Sequence, residues 1–405
     1  MACLDTFNVV RKSQYCGGPT VALDDWLWPR ESPIGFADSW PQLEGRTVIG
    51  THRGRTAVAL ACRLLGLGEG HEVLVPAYNC GTEVDAMQYM GVTPVGYRIS
   101  RQCGIDLDDL IARKTSRTRA VFLIHYFGWE QPMVHLRHWC DEQGLLLIED
   151  CALALFSSGP SGGIGRTGDA AIYSLPKSLG FLHGGLLSLS ARTEIGSLRL
   201  KPSETATWLR EIRHSARSMA FLSLERLGVY GMLVSAHRRR RSRRMSSAGS
   251  EGLADMPDGY YFNPALDADR VLHPKVEAIL DLLPWPRIVR ARRDNYLRLA
   301  GALEDVDGVK LLFPQLPPCV CPLSLPVLVS NRDQCASILQ ARGIAAFPWW
   351  AGFHRGDLDW TQFPEACWLK HNVLTVPVYQ GMEARQLDEM AAWVAEVLQR
   401  DGNPL

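Results

Sequence analysis

The chain has 405 residues, 46% of them hydrophobic and 21% charged, and its 43 basic and 43 acidic side chains give a formal net charge of zero. That balance excludes a chain that binds nucleic acid through excess positive charge, and the length predicts two or three domain-sized units. The first residues lack a basic-then-apolar signal pattern, and no apolar run is long enough to span a bilayer. Most of the eleven cysteines, such as Cys62, Cys140 and Cys151, sit singly in apolar stretches, as reduced core thiols do, so a cytoplasmic protein is expected. Cys319 and Cys321 are too close together for a zinc knuckle and have no second half nearby, so no metal site is expected.

Residues 1–45 form an N-terminal segment. From about residue 50 to residue 190, short apolar runs alternate with amphipathic ones. The apolar runs at 72–75, 92–98, 120–125, 145–149, 170–174 and 186–189 are bounded by Gly, Pro or polar residues and predict buried strands. The stretches at 55–65, 82–90, 107–113 and 132–142 predict helices. In the first, Ala57, Leu60, Ala61, Leu64 and Leu65 share one face and Gly66 stops it. Alternating strand and helix predicts a mostly parallel sheet covered on both faces, an α/β fold.

Residues 201–260 break the pattern. Helical patterning at 208–234 leads into an arginine-rich run at 238–244 and a Ser/Gly stretch at 246–252. This insertion reads as an exposed loop, or, together with 219–234, as a patch making weak contact with anionic lipid or an acidic partner. A helical pattern at 286–303 then leads into a smaller α+β unit. That unit has a strand at 325–329, a helix at 332–342, an apolar run at 373–378 and a last helix at 384–398. The expected division is a large domain over 46–285, insertion included, and a linker helix with a small C-terminal domain over 286–405.

Three features of the large domain bear on chemistry. Gly54-Arg55-Thr56-Ala57 opens the first helix, where free N–H groups and the helix dipole suit an anion. Glu149-Asp150 ends an apolar strand, the edge of a parallel sheet where ligands gather, and a desolvated carboxylate there needs a cationic partner. Lys177 follows a buried strand and Pro176, a setting that lowers an ammonium pKa and suits a Schiff base. Each has an ordinary reading in isolation: a helix start, an ion-paired or capping acid, a surface lysine. Together they are what pyridoxal 5'-phosphate (PLP) requires: a lysine for its aldehyde, an acid for its ring nitrogen and a site for its phosphate.

The runs Gly54-Arg55-Thr56-Ala57-Val58 and Leu65-Gly66-Leu67-Gly68-Glu69-Gly70, continuing through Val75-Pro76-Ala77-Tyr78, resemble the DegT/StrS-type sugar aminotransferases of fold type I. Gly91-Val92-Thr93-Pro94-Val95, Ile124-His125-Tyr126-Phe127-Gly128, Ile148-Glu149-Asp150-Cys151-Ala152, Thr167-Gly168-Asp169-Ala170, Lys177 and Gly184-Gly185 follow in the family's order. The resemblance covers about 45–195 and, more loosely, 286–398. It implies a fold type I large domain with a smaller C-terminal α+β domain, and a homodimer with sites at the subunit interface. It further implies an amino donor, glutamate or glutamine, and a keto-sugar acceptor linked to a nucleotide.

Carried over residue by residue, the resemblance makes Lys177 the Schiff-base lysine and proton shuttle, and Asp150 the partner of the ring nitrogen. Gly54, Arg55, Thr56 and Ser174 would hold the phosphate, and His125 would lie near the cofactor ring. Cys80, beside Tyr78, stands where many members stack an aromatic on that ring. Arg270, near His273, stands where the family donates an asparagine across the dimer to the phosphate. Leu153 and the His183-Gly184-Gly185 run depart from the family's usual residues. These departures leave open a PLP lyase or dehydratase on the same scaffold, and the basic insertion leaves open a non-catalytic sensor or assembly protein. Phe347-Pro348-Trp349-Trp350 with Phe353-His354 either lines the acceptor pocket or packs the small-domain core.

Overall fold

The computed structural model describes residues 40, 43–193, 200–226, 262–280, 283–354 and 358–401. In chain order the first part consists of β1 (Thr47–Thr51), α1 (Gly54–Leu64), β2 (Glu72–Pro76), α2 (Thr82–Tyr89), β3 (Thr93–Tyr97), α3 (Leu107–Ala112) and β4 (Thr118–Ile124). It continues with α4 (Met133–Gln143), β5 (Leu146–Asp150), β6 (Ala170–Ser174), α5 (Leu175–Leu179) and β7 (Gly185–Leu189). Among the described residues, these seven strands form one sheet in the order β1-β7-β6-β5-β4-β2-β3. β2 through β6 pair in parallel, whereas β7 runs against both β6 and β1. The sheet is therefore mostly parallel, with one reversed strand. β2, β6 and β7 are buried at every residue, which is why they read as unbroken apolar runs.

Strand and helix limits shift by a residue or two from the sequence expectation. β1 is an edge strand whose Thr47, Val48, Ile49 and Gly50 stay partly exposed, so it carries no buried-strand signature. The helical pattern expected at 208–234 is α6 (Thr205–Arg226) as far as the described residues extend. The rest of that pattern, the arginine-rich run at 238–244, the Ser/Gly stretch at 246–252 and most of the N-terminal segment lie outside the described residues. After them come α7 (Pro264–Asp267), α8 (Pro274–Leu280) and α9 (Trp285–Leu303). Between α7 and α8 the chain returns to the sheet edge, where Thr51 bridges Val271.

The C-terminal part contributes β8 (Lys310–Leu311), β9 (Ser324–Leu328), α10 (Arg332–Ala341), β10 (Phe347–Pro348), α11 (Pro364–Asn372), β11 (Val373–Pro377) and α12 (Ala384–Asp401). Its four strands form a second, antiparallel sheet in the order β10-β11-β9-β8 among the described residues. On α12, Leu387, Met390, Ala391, Val394, Val397 and Leu398 recur at helical spacing and are buried. They share one core with Leu299 and Leu303 of α9 and Leu325 and Val327 of β9, each large side chain contributing about 1.5–3 kcal/mol. α9 serves two cores: Trp285 and Ile288 pack under the large sheet, and Tyr296, Leu299 and Leu303 under the small one. Among the described residues, no helix is long and apolar enough to cross a membrane.

Candidate active site

The carboxyl ends of β5 and β6 and the amino end of α1 open on one cleft of about 500 Å³, lined by Gly54, Arg55, Cys80, Asp150, Ser174 and Lys177 among others. A larger cavity of about 730 Å³ lies beside Trp40, Phe156, Trp285 and Arg290, away from the lysine and the carboxylate. Size does not choose between them; the meeting of an acid, a lysine and a helix amino end does.

Asp150 is the last residue of β5, carried into the cleft by an apolar strand. Its Oδ1 accepts the Ala152 N–H at 2.7 Å. Burial pushes its carboxyl up to about 6; Lys177 pulls the other way, and Glu83 adds to the rise. Burial disfavours the charged form of such an acid, and a cation placed against it offsets that cost.

Lys177 stands in α5, which starts directly from β6 with Ser174 as its extended N-cap and Pro176 in its first turn. Gly180, at φ 71°, ends the helix after one turn. The Lys177 ammonium lies 5.8 Å from the centroid of the Trp350 ring.

The first-turn N–H groups of α1 have no intrahelical acceptor, as in any α-helix, and its N-cap residue Arg53 supplies no side-chain cap. That end is available to an anion. It is set by close backbone packing against β7: a Cβ at Gly185 would stand 2.5 Å from the Arg53 carbonyl carbon and 2.6 Å from the Gly54 nitrogen. Gly184, at φ 129°, makes the turn into that contact. Arg53 and Arg55 both stand 3.8 Å from the buried carboxylate of Asp267 in α7.

Gly54, Arg55, Cys80, Asp150, Ser174 and Lys177 thus meet in one cleft, and three expected residues do not line it. Thr56 is in the first turn of α1, but its hydroxyl is buried without a hydrogen-bond partner and does not line the cleft. His125 is fully buried. Its Nε2 donates to Glu149 at 2.9 Å and its Nδ1 accepts the Gln131 N–H at 3.2 Å, so the ring is committed behind the cleft. Arg270 is engaged within its own chain, with Nη1 at 2.6 Å from Glu204 and Nε donating to the Ala265 carbonyl at 3.3 Å.

Leu153 is buried in the core, so that departure does not alter the cleft wall. Cys80 does line it, with its thiol 2.8 Å from both Glu83 and Thr82. Burial pushes that thiol up to about 12, with Glu83 adding to the rise, so it stays protonated. His125, Glu149 and Cys151 bring donor atoms within 4.8 Å of one another. The Glu149 carboxylate, however, already accepts from His125 and from the Gly165 and Gly168 N–H groups at 2.7 and 2.5 Å.

The aromatic run divides residue by residue. Trp350 lines the cleft, Trp349 packs on Phe127 at 5.4 Å, and His354 pairs with Asp85. Sequence reasoning missed Glu83, whose carboxylate accepts the Cys80 N–H at 3.1 Å, and Lys370, an almost fully buried ammonium. Burial pushes Lys370 down to about 8, against the opposing pull of Cys80, Glu83 and Cys367. A signal for it existed: Ala366, Leu369 and Lys370 fall at i, i+3 and i+4 on one buried helical stripe.

Residues 42–190 match the model of the DegT/DnrJ/EryC1/StrS aminotransferase family. The chain is 25% identical over 356 residues to dTDP-4-dehydro-2,3,6-trideoxy-D-glucose 4-aminotransferase of Saccharopolyspora spinosa, a match covering 85% of this chain and 82% of that protein. It is 31% identical over 150 residues to a UDP-N-acetyl-3-dehydro-alpha-D-glucosamine 3-aminotransferase of Acidithiobacillus ferrooxidans, covering 36% of this chain and 41% of that one. The fold is similar to the crystal structure of the aminotransferase TlmJ from Streptoalloteichus hindustanus, with a TM-score of 0.65 and 20% identity over 96% of this chain and 99% of that one.

Proposed function

We propose that this chain, whose residues 42–190 match the DegT/DnrJ/EryC1/StrS aminotransferase family, binds PLP on Lys177 and moves an amino group from glutamate or glutamine to a keto group of a nucleotide-linked sugar. The observation that carries this reading is the convergence of Lys177, Asp150 and the amino end of α1 on one cleft. The donor set fits the cofactor. A buried carboxylate in need of a cation suits a pyridinium, a lysine one turn into a short helix suits an aldehyde, and a helix end beside the Ser174 hydroxyl suits a phosphate.

Bound there, the cofactor supplies an electron sink and carries the amino group between the two half-reactions. The chain's own residues do the rest. Lys177 holds the aldehyde carbon and, once released by the incoming amine, takes up and returns a proton at its Nζ. Asp150 keeps a proton on the ring nitrogen by offering it a carboxylate. Ser174, Gly54 and Arg55 orient the phosphate. Arg53, beside the same helix end, suits the negative charge of a nucleotide-linked acceptor.

We keep residues 46–285 and 286–405 as two domains sharing α9, and a homodimer as the working assembly. Leu182 at the cleft, Leu209 and Ile212 of α6 and Leu266 of α7 are exposed apolar side chains on neighbouring elements, which supports a subunit contact there. Arg270 remains a cross-subunit phosphate donor in this reading, on condition that it leaves Glu204. The nine described cysteines are all free, which supports a reducing, cytoplasmic setting.

The test is the absorption spectrum of the purified protein, before and after separate additions of L-glutamate and L-glutamine. The reading expects a band near ~420 nm that gives way to one near ~330 nm with a productive donor. A band that ignores both donors would remove the aminotransferase reading. No band even with added PLP would remove the cofactor.

A further inference from the structure

We propose that Trp350, held in place by the buried ammonium of Lys370, is the aromatic cover of the cofactor ring in this chain, in the role that the small side chain of Cys80 leaves open. The inference rests on the PLP reading above and concerns which residues shape that site.

Among the described residues lining the cleft, Trp350 is the aromatic one, and its ring is the one the Lys177 ammonium faces, 5.8 Å from its centroid. A flat heteroaromatic ring attached at that lysine gains about 0.5–1.5 kcal/mol from a stacked aromatic neighbour. Cys80 offers none of this, because its thiol is short and committed to Glu83 and Thr82. Trp350 reaches the cleft from the C-terminal part of the chain, on the segment just after β10, so it has to be fixed from outside the large sheet. Its backbone sits at φ 48°, a left-handed conformation that is costly for a tryptophan and persists only where the surroundings impose it.

Lys370 imposes it. Its ammonium has three donors, and they go to the carbonyls of Trp350 at 3.1 Å, Gly352 at 2.8 Å and Asn79 at 3.0 Å. Asn79 immediately precedes Cys80. One buried cation therefore ties the segment carrying Trp350 to the loop forming the opposite part of the cleft. The rings of Trp360, Phe353 and Tyr78 lie 5.2, 5.6 and 5.8 Å from the same nitrogen and hold the charge in place. The Tyr78 hydroxyl donates to the Trp349 carbonyl at 3.2 Å, and the Tyr78 and Tyr126 rings meet Trp350 edge-on at 5.3 and 5.9 Å. Trp350 is thus set by its backbone and its ring together. Lys370 is a positioning residue: it acts on the cofactor through Trp350.

The experiment measures PLP binding rather than turnover. Full-length protein is stripped of cofactor and titrated with PLP, following the visible band and its induced circular dichroism. Five forms are compared: wild type, Trp350→Phe, Trp350→Leu, Lys370→Met and the double variant Trp350→Leu/Lys370→Met. We expect Trp350→Leu to raise Kd about tenfold and Trp350→Phe to stay within about threefold of wild type, since only the phenylalanine keeps a stacking face. Lys370→Met should raise Kd by a similar factor, and adding it to Trp350→Leu should cost little more, because both remove one interaction.

Trp350→Leu binding as tightly as Trp350→Phe would overturn the proposal while the wild-type band kept the PLP reading intact. Absence of the band in wild type would overturn both. Should Lys370→Met fail to fold, the Phe and Leu pair still decides, because Trp350 is only half-buried.

Discussion

The guanidinium of Arg292 donates to the carbonyl of Ser178, the residue after Lys177, at 3.4 Å. Its other N–H groups go to the carbonyls of Pro322 at 3.0 Å and Leu323 at 2.5 Å and to the Gln380 side chain at 2.9 Å, and Gln380 itself also donates to Ser178. The linker helix and the C-terminal part thereby grip the one-turn helix that presents the lysine. Arg292 is fully buried, so replacing it by methionine strips hydrogen bonds from several buried carbonyls, each costing about 1–3 kcal/mol. Arg292→Met should lose ~3 kcal/mol or more in urea unfolding, and the cofactor band should weaken in the fraction that stays folded. A loss under about 1 kcal/mol would mean that the grip is not structural.

Gly185 gives a sharper steric test. A methyl group there would meet the Arg53 carbonyl carbon and the Gly54 nitrogen at 2.5 and 2.6 Å, and neither is a flexible side-chain atom. In Gly185→Ala, β7 and the start of α1 must move apart, spoiling the anion site before the lysine or the carboxylate. Phosphate and PLP affinity should fall about tenfold or more, while pyridoxal, which lacks the phosphate, should be affected far less. Equal losses for both compounds would show that the damage is general.

The large sheet was legible because β2, β4, β5, β6 and β7 are buried on both faces, and such strands must be written as short apolar runs. Lys177, Asp150 and Gly54 were legible because each sits next to such an element, at a strand end or a helix start. The setting of His125 was not legible. A histidine at a strand end looks the same in sequence whether it faces a ligand or, as here, a buried glutamate. Trp350 lines the cleft, and Lys370 and Arg292 brace its walls, from positions 173, 193 and 115 residues along the chain from Lys177. Local spacing carries no information about which distant residues tertiary packing brings together. Glu83 was passed over because a glutamate in the first turn of a helix is ordinary.

Lys177→Ala should leave folding intact, since the side chain is only partly buried and no described hydrogen bond depends on it. The visible band should vanish on reconstitution, and amino transfer should fall by several orders of magnitude, because the group that holds the aldehyde and moves the proton has gone. Thermal unfolding and an endpoint assay for 2-oxoglutarate check the two halves. Wild-type transfer by Lys177→Ala would place the chemistry on another residue.

The pH response of Asp150 links the fold to the site. Its folded carboxyl lies at about 6, raised chiefly by burial from an ordinary value of 3.8. The fold therefore favours the protonated form. Without cofactor, the stability contributed by Asp150 is fully present below about pH 4, falls as pH rises from there through 6, and is flat above; the whole change is about 3 kcal/mol. Asp150→Asn cannot ionise and should lack this fall, so the variant should overtake wild-type apo protein in thermal stability as the pH is raised. With PLP the order should reverse. A carboxylate facing a protonated ring nitrogen is the paired state, so wild-type affinity should climb as pH passes about 6, while Asp150→Asn stays weak and shows no such rise. Thermal unfolding of both proteins from about pH 4 to about pH 8, with and without PLP, reads both signs at once. Parallel stability curves for the two apo proteins would mean that Asp150 does not carry the raised pKa, and a cofactor affinity unchanged by Asp150→Asn would remove it from the ring nitrogen.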